Sequence, residues 1–251
     1  MSDHQMPLTP YARRGRGAHV SEWWLWSYVI LCAATLLLFI RWSRNPKGIP
    51  QSEYRGVFVI LAWSAIWHVV AALDAGRTNT AEHTLDWTHY ADWIVTAPLL
   101  VFSLVLTATH AIAEKRVGLV AALIVPTFPM ILAGPVAEAM TSTAARFTIY
   151  GIGMAALALV LGLIWGPLRA DAKRQPAPMA AHFIVVALLL SLLWLAFPLV
   201  WILGPPGVEI VDEHTSTILF VVLSALMKVG WSIVDVGRLR AMSDRGQLAV
   251  A

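Results

Sequence analysis

Charged residues are scarce in this chain, and cysteine is almost absent. Only 13% of the 251 residues are charged, against about 25% in a typical soluble domain. The single cysteine, Cys32, excludes an intrachain disulfide and a cysteine metal cluster. The sequence has no metal-ligand spacing and no nucleophile–base arrangement, so we expect neither a metal site nor an enzyme. Hydrophobic residues make up 58% of the chain, with 12 Trp and 14 Pro, a usage typical of membrane helices and their interfaces.

Seven apolar stretches approach the length of about 20 residues that a helix needs to cross a bilayer. Short polar or Pro/Gly-rich segments separate them, so consecutive helices should pack as antiparallel neighbours. The predicted spans are 23–40, 54–73, 88–106, 117–132, 147–165, 183–203 and 218–236. The sequence therefore predicts an all-α membrane protein, a seven-helix bundle formed by residues 21–240. Residues 1–20 form a tail before a retained first helix, and residues 241–251 form a second tail.

Basic residues are unevenly distributed between the two ends of the predicted helices. Of the 18 Lys and Arg, twelve lie on one side of the bundle, five lie on the other, and Lys228 belongs to neither. The positive-inside rule places the richer side in the cytoplasm. We therefore expect an extracellular N-terminus and a cytoplasmic C-terminus in a prokaryotic cell membrane. The same rule explains the net charge of +3 without a nucleic-acid partner.

Lys228 lies near the middle of the seventh predicted helix, where an ionisable side chain is costly and indicates function. Desolvation makes a lysine amine nucleophilic and suits it to Schiff-base formation with an aldehyde. The alternative is a lysine that faces a wet cavity and binds backbone carbonyls.

Four further ionisable residues lie inside the predicted bundle. Asp92 can neutralise a cation at Lys228, and Thr96, one helical turn later, can hydrogen-bond it; the alternative is an aspartate at the interface. Asp235 lies two turns beyond Lys228, about 11 Å along the helix, and could receive a proton or simply pair with arginines at the helix end. His68 and His89 could relay protons near Asp92, or serve as structural hydrogen-bond donors.

Three segments together resemble the microbial rhodopsin family. Residues 89–100 (HYADWIVTAPLL) are similar to its counterion segment, residues 194–201 (WLAFPLVW) to its aromatic clamp around retinal, and residues 228–230 (KVG) to its attachment site. The resemblance extends from about residue 23 to residue 240. It implies all-trans retinal bound to Lys228 as a Schiff base. The residues that would line the chromophore are Trp93, Trp194, Trp201, Tyr90, Phe197 and Pro198. Pro198 should also kink the sixth helix.

Departures from the family pattern carry the functional information. Relative to outward proton pumps, His89 replaces an arginine, Ser224 replaces a second aspartate before the lysine, and Ser103 replaces a carboxylate donor. Phe197 stands where those pumps have a tyrosine. These changes, with Asp235, resemble the xenorhodopsin branch, as do residues 229–235 (VGWSIVD) and 164–170 (IWGPLRA). The pair at residues 67–68 instead resembles outward pumps of the proteorhodopsin type.

The resemblance thus predicts a light-driven proton transporter that works inward. The proton should leave towards the cytoplasm through Asp235 and be replaced from the outer side past Asp92, His89 and His68. One alternative is an outward pump with Asp92 as acceptor, and another is a photosensor that acts through a separate transducer. A chloride pump is disfavoured because Asp92 is a fixed anion. We also expect a homo-oligomer, a trimer or a pentamer, in the lipid bilayer.

Overall fold

Seven long apolar helices form an antiparallel bundle in a computed structural model of the chain, which describes residues 23–79, 84–112 and 116–248. All seven are long and apolar enough to cross a membrane. They are α1 (Trp23–Arg44), α2 (Gln51–Ala72), α3 (Thr88–Ala108), α4 (Val117–Glu138), α5 (Thr143–Ala172), α6 (Ala177–Leu203) and α7 (Glu213–Asp244). The predicted all-α, seven-helix fold is therefore confirmed. The predicted tail at residues 1–20 lies outside the described residues.

Helix boundaries differ from the predicted ones mainly at α4, α5, α6 and α7. α4 continues to Glu138, six residues beyond its predicted end, because the last turns hold small residues that the hydropathy pattern alone did not assign to it. The backbone hydrogen bonds of α4 are interrupted at residues 125–126, because Pro126 has no N–H to donate. The interruption separates two helical segments, Val117–Ile124 and Thr127–Glu138. α7 extends to Asp244, so the first residues of the predicted C-terminal tail are helical.

A short β-hairpin connects α2 to α3 and was not predicted. β1 (Arg77–Asn79) pairs antiparallel with β2 (Thr84–Asp86). The Asp86 carboxylate then accepts hydrogen bonds from the Thr88 backbone N–H at 3.0 Å and from the Thr88 hydroxyl at 2.6 Å. These bonds satisfy donors at the start of α3. We call this end of the bundle the hairpin side and the other end the C-terminal side.

α3 is the central helix of the bundle. In its apolar window 67% of the residues are buried, against at most 44% in the other six helices. Polar side chains on α3 therefore face protein, so each needs a partner within the bundle. Within the described ranges, π-helical geometry occurs in two stretches, at Ile164–Leu168 in α5 and at Ala225–Gly230 in α7. The second contains Lys228, and such local departures from α-helical geometry are frequent at functional sites.

Candidate functional site

Lys228 and Asp92 form a fully buried ion pair at the centre of the bundle. Both side chains have no solvent exposure, and the lysine Nζ donates a hydrogen bond to the Asp92 Oδ2. Burial of two charges carries a desolvation cost that their mutual attraction offsets only with good geometry and further hydrogen bonds. The structure therefore brings together the two residues that the sequence placed at the reacting centre.

Ser64 of α2 supplies those further hydrogen bonds, and sequence reasoning missed it. Its hydroxyl donates to Asp92 Oδ2 at 2.8 Å and lies 3.2 Å from Lys228 Nζ. A hydroxyl has one proton to donate and two lone pairs. The Tyr28 hydroxyl of α1, 2.7 Å away, therefore acts as donor to Ser64. The result is a continuous buried chain from Tyr28 through Ser64 to the ion pair.

Thr96 contacts Asp92 directly, whereas Ser224 lies one turn before Lys228 on α7. The Thr96 hydroxyl donates to the Asp92 backbone oxygen at 2.9 Å and lies 3.4 Å from its Oδ1. Ser224 is buried one turn before Lys228 and lines a cavity on the hairpin side. A serine at this point leaves Asp92 as the carboxylate that contacts the lysine among the described residues.

His68 lies beside Asp92 without bonding to it. Its Nδ1 is 3.8 Å from Asp92 Oδ2 but 2.8 Å from the Ser64 backbone oxygen. A carbonyl can only accept, so Nδ1 carries a proton that it donates to Ser64. The ring also packs on Tyr28, with centroids 3.9 Å apart. His68 is therefore held next to the ion pair by α1 and α2.

His89 is enclosed by aromatic rings rather than by carboxylates. Its ring contacts Tyr90 and Trp93, and it stacks on Phe220 with an interplanar angle of 16°. Its Nε2 is buried and has no hydrogen-bond partner within the described part of the chain. The structure therefore does not join His89 to Asp92 by a direct hydrogen bond, although both lie on α3.

An apolar cavity of about 90 Å³ lies beside Met227, the residue before Lys228. All six residues that the sequence assigned to chromophore binding line it, together with Met227, the neighbour of Lys228. Trp93 and Phe197 form an edge-to-face pair across it, with centroids 4.7 Å apart. Helix α4 contributes Gly134, where an added Cβ would lie 2.4 Å from Tyr90 Cε1. Aromatic and apolar side chains therefore wall a cavity one residue along α7 from the buried amine, and this lining suits a long apolar aldehyde.

A second buried polar cluster lies on the C-terminal side, around Asp235. Its Oδ1 accepts hydrogen bonds from the Thr107 hydroxyl at 3.0 Å and from His182 Nε2 at 2.9 Å. Arg238 Nε donates to His182 Nδ1 at 3.2 Å. Because Nδ1 accepts, the proton of a neutral His182 lies on Nε2 and points at the carboxylate.

The arginines near Asp235 do not pair with it directly. Arg238 reaches it only through His182, and Arg240 donates to the backbone oxygens of Trp42 and Asn45 and to the Tyr54 hydroxyl. The helix-end ion pair that the sequence left open is therefore not formed. Ser103 lies one turn before Thr107 on α3, and its buried hydroxyl has no hydrogen-bond partner among the described residues.

His182 was missed because it immediately precedes the predicted sixth span, which began at residue 183. Its side chain has no solvent exposure, so a position outside the predicted span is buried within the bundle. The signal that could have identified it is the length of the apolar stretch: α6 begins at Ala177, so His182 lies more than a turn inside the helix.

Glu138 lies six residues beyond the predicted end of the fourth span, but it ends α4 and is only 6% exposed. It is hydrogen-bonded to Tyr90 and Trp201. It also lines a cavity of about 130 Å³ on the hairpin side, which we call the hairpin-side cavity. Asp86, His68, His89, Glu213 and Ser224 line the same cavity.

Comparison with known proteins identifies the family. The family described as bacteriorhodopsin-like protein matches residues 19–242. Sensory rhodopsin-2 of Natronomonas pharaonis is 31% identical over 78% of this chain and 80% of its own length. Archaerhodopsin-1 of Halorubrum ezzemoulense is 32% identical over 74% and 73%.

A solved structure agrees with this assignment in both sequence and shape. The thermophilic rhodopsin from Rubrobacter xylanophilus superposes with a TM-score of 0.82 at 30% identity, over 90% of this chain and 99% of that one. The sequence match, the seven-helix bundle and the buried lysine–aspartate pair all indicate the same family. The chain therefore belongs to the bacteriorhodopsin-like family of microbial rhodopsins.

Proposed function

We propose that this protein is a light-driven proton transporter that moves protons inward, as in the xenorhodopsin branch. The observation that carries the proposal is the buried cluster of Asp235, His182 and Thr107 on the C-terminal side. Ser103, where an outward pump would have its proton donor, lies one turn from this cluster and is uncharged. A proton on the C-terminal side therefore has an acceptor within the bundle, but there is no carboxylic acid at Ser103 to return it.

Lys228 is the residue that would hold the chromophore, all-trans retinal, as a Schiff base. When bound there, retinal supplies a light-driven isomerisation that turns the proton-bearing nitrogen towards a new direction. Trp93, Trp194 and Trp201 would hold its chain between their rings, and the apolar walls would exclude water from the linkage. Orientation follows the basic residues: the hairpin side faces outward and the C-terminal side faces the cytoplasm of a prokaryotic cell.

Asp92 holds the negative charge next to the lysine nitrogen. The Ser64 hydroxyl donates to its Oδ2 at 2.8 Å, and hydrogen bonds to the charged form favour that form. Inward transport requires Asp92 to keep this charge after isomerisation, so that the proton leaves towards the C-terminal side.

Asp235 is the proposed acceptor of the proton. It follows Lys228 by seven residues, about 11 Å along a helix, so the proton crosses through water or a transient opening and not by direct contact. His182 donates its Nε2–H to Asp235, and Arg238 fixes the opposite ring nitrogen as an acceptor. This order orients the imidazole, and both described hydrogen bonds to Asp235 end on Oδ1, so Oδ2 is the oxygen that would take a proton. The lysine nitrogen is reloaded from the hairpin-side cavity, past Ser224, His68 and His89.

The direct test is the Asp235→Asn variant, reconstituted in vesicles with a pH indicator trapped inside. We expect loss of light-driven inward transport while the pigment forms and photocycles. Asp244→Asn is the matched control, because it removes an exposed carboxylate from the same helix that pairs with Lys47 at the surface. Inward transport that is unchanged in Asp235→Asn would exclude this role.

A sensory role is the second candidate, and the similarity to a sensory rhodopsin favours it. A sensor would show little net transport, a slow photocycle and a separate transducer in the membrane. An outward pump, with Asp92 accepting the proton, is the third candidate. A homo-oligomer, a trimer or pentamer, accompanies all three proposals and is tested by the mass of the detergent-solubilised pigment.

A further inference from the structure

Glu138 connects the two cavities of the hairpin half. Its Oε1 accepts a hydrogen bond from the Tyr90 hydroxyl and another from Trp201 Nε1 at 2.9 Å. Trp201 Nε1 is also 3.1 Å from the Tyr90 oxygen, so the three groups form a closed triangle. Tyr90 and Trp201 line the apolar cavity, whereas Glu138 lines the hairpin-side cavity. The Glu138 carboxylate is therefore hydrogen-bonded by two side chains that line the proposed chromophore site.

The sequence of α4 builds this contact from two residues one turn apart. Gly134 and Glu138 lie on the same face of the helix. Gly134 leaves room for the Tyr90 ring, since a Cβ there would approach its Cε1 to 2.4 Å. Glu138 then receives the hydroxyl of that ring. Tyr90 cannot move away from α4 without breaking its hydrogen bond to the carboxylate.

Because both donors lie in the chromophore wall, their positions control the charge on Glu138. Hydrogen bonds donated to a carboxylate favour its ionised form, and their loss favours the protonated form. Both described hydrogen bonds end on Oε1, which leaves Oε2 to carry a proton taken from the adjacent cavity. A displacement of Trp201 on α6 or Tyr90 on α3 would thus change the proton affinity of Glu138 on α4.

The charged and titratable groups around Glu138 come from four helices and a strand. Asp86 at the end of β2, His68 on α2, His89 on α3 and Glu213 on α7 line the same cavity, and Arg146 on α5 is a positive charge nearby. Tyr90 and Trp201 complete the surroundings on α3 and α6. The environment therefore contains carboxylates, imidazoles and a guanidinium, a mixture suited to passing a proton among neighbours.

We propose that Glu138 is a proton-binding site on the hairpin side that takes up a proton when light-driven movement of the chromophore withdraws Trp201 or Tyr90. It would supply the proton that later reloads the lysine nitrogen. The inference rests on the proposed function only for the direction of net transport. Proton exchange at Glu138 itself depends on the triangle with Tyr90 and Trp201.

The test is light-minus-dark infrared spectroscopy on the full-length pigment in lipid, with a pH indicator in the bulk solution. We expect a change in the carboxylic C=O stretching region that Glu138→Gln abolishes. Proton uptake from the hairpin side should also slow by about 10²-fold, at the lower end of the contribution of a positioned proton-transfer group. Glu209→Gln, in the exposed loop on the same side, should keep both signals.

Two further measurements test the role of Glu138 if Glu138→Gln does not form pigment. In the native chain, ¹³C labelling of glutamate carboxyls should shift the C=O band, and Glu138→Asp should retain an acid band at an altered frequency. A band that glutamate labelling does not shift, or one that persists in Glu138→Gln with unchanged uptake, would refute the role of Glu138. Reversed net transport with an intact Glu138 band would instead refute the proposed direction alone.

Discussion

Ser64→Ala is the substitution that most sharply tests the polar chain at the centre of the bundle. The Ser64 hydroxyl donates to a buried carboxylate at 2.8 Å and accepts from Tyr28 at 2.7 Å. A hydrogen bond to a charged group contributes about 1.5–3 kcal/mol, and a buried donor left unsatisfied costs about 1–3 kcal/mol. We expect Ser64→Ala to lower the free energy of unfolding by about 3 kcal/mol, because both effects act together.

Tyr28→Phe should act differently, depending on whether Ser64 is present. In the native chain it removes one neutral hydrogen bond, at a cost of about 1 kcal/mol. In the Ser64→Ala background it removes a hydroxyl that has already lost its partner, so it should be neutral or stabilising. The double-mutant cycle should therefore show a coupling energy of about 1–3 kcal/mol between the two sites, in the range for residues that share a hydrogen-bond network.

The assay is equilibrium unfolding in mixed micelles, followed by the absorption of the bound chromophore. Ser43→Ala is the control, since its hydroxyl bonds only to the Ile40 backbone oxygen on the exposed surface, and it should leave the unfolding free energy nearly unchanged. Strictly additive effects of Tyr28→Phe and Ser64→Ala would refute the chain from Tyr28 to Asp92.

Two other predictions concern a close contact and a helix cap. Gly134→Ala should shift the absorption maximum or reduce pigment yield, because its Cβ would displace Tyr90; Gly162→Ala, where a Cβ meets nothing within 4 Å, should do neither, and equal spectra for both would contradict the contact. At the start of α7, hydrogen bonds from Thr215 lower the pKa of Asp212 below its ordinary value of 3.8. The ionised Asp212 side chain therefore caps and stabilises α7 above pH 3.8, and this stabilisation is lost as the pH falls through the lowered pKa. In thermal bleaching, the native protein should have a higher bleaching temperature than Asp212→Ala at neutral pH, and this difference should disappear in acid. A difference that does not depend on pH would contradict the account.

The seven helices could be predicted because their signal is local. An apolar run of spanning length has few structural alternatives in a membrane, where backbone groups must be satisfied within the helix. The buried charges could be predicted for a related reason, since Lys228 and Asp92 are the ionisable residues deepest in their runs. Their mutual contact did not follow from the pattern alone and needed the family resemblance to be expected.

The apolar pattern did not predict which side chains from other helices contact the buried charged residues. Ser64 and Tyr28 are common residues in apolar runs, and their role appears only when α1 and α2 pack beside α3. His182 and Glu138 lay outside the predicted spans, so the apolar pattern did not place either side chain inside the bundle. The signal for Ser64 was its place one turn before His68 on one helical face, which indicated a shared neighbour but not its identity.

The central claim, inward proton transport by a retinal-bound Lys228, is tested most directly by the sign of a pH change. Bacterial cells that express the protein with added retinal are suspended without buffer, and the external pH is recorded under green light. The account predicts a rise in external pH that a protonophore abolishes. A fall would contradict it and indicate an outward pump acting through Asp92, and a constant pH over a photocycling pigment would contradict it in favour of a sensor.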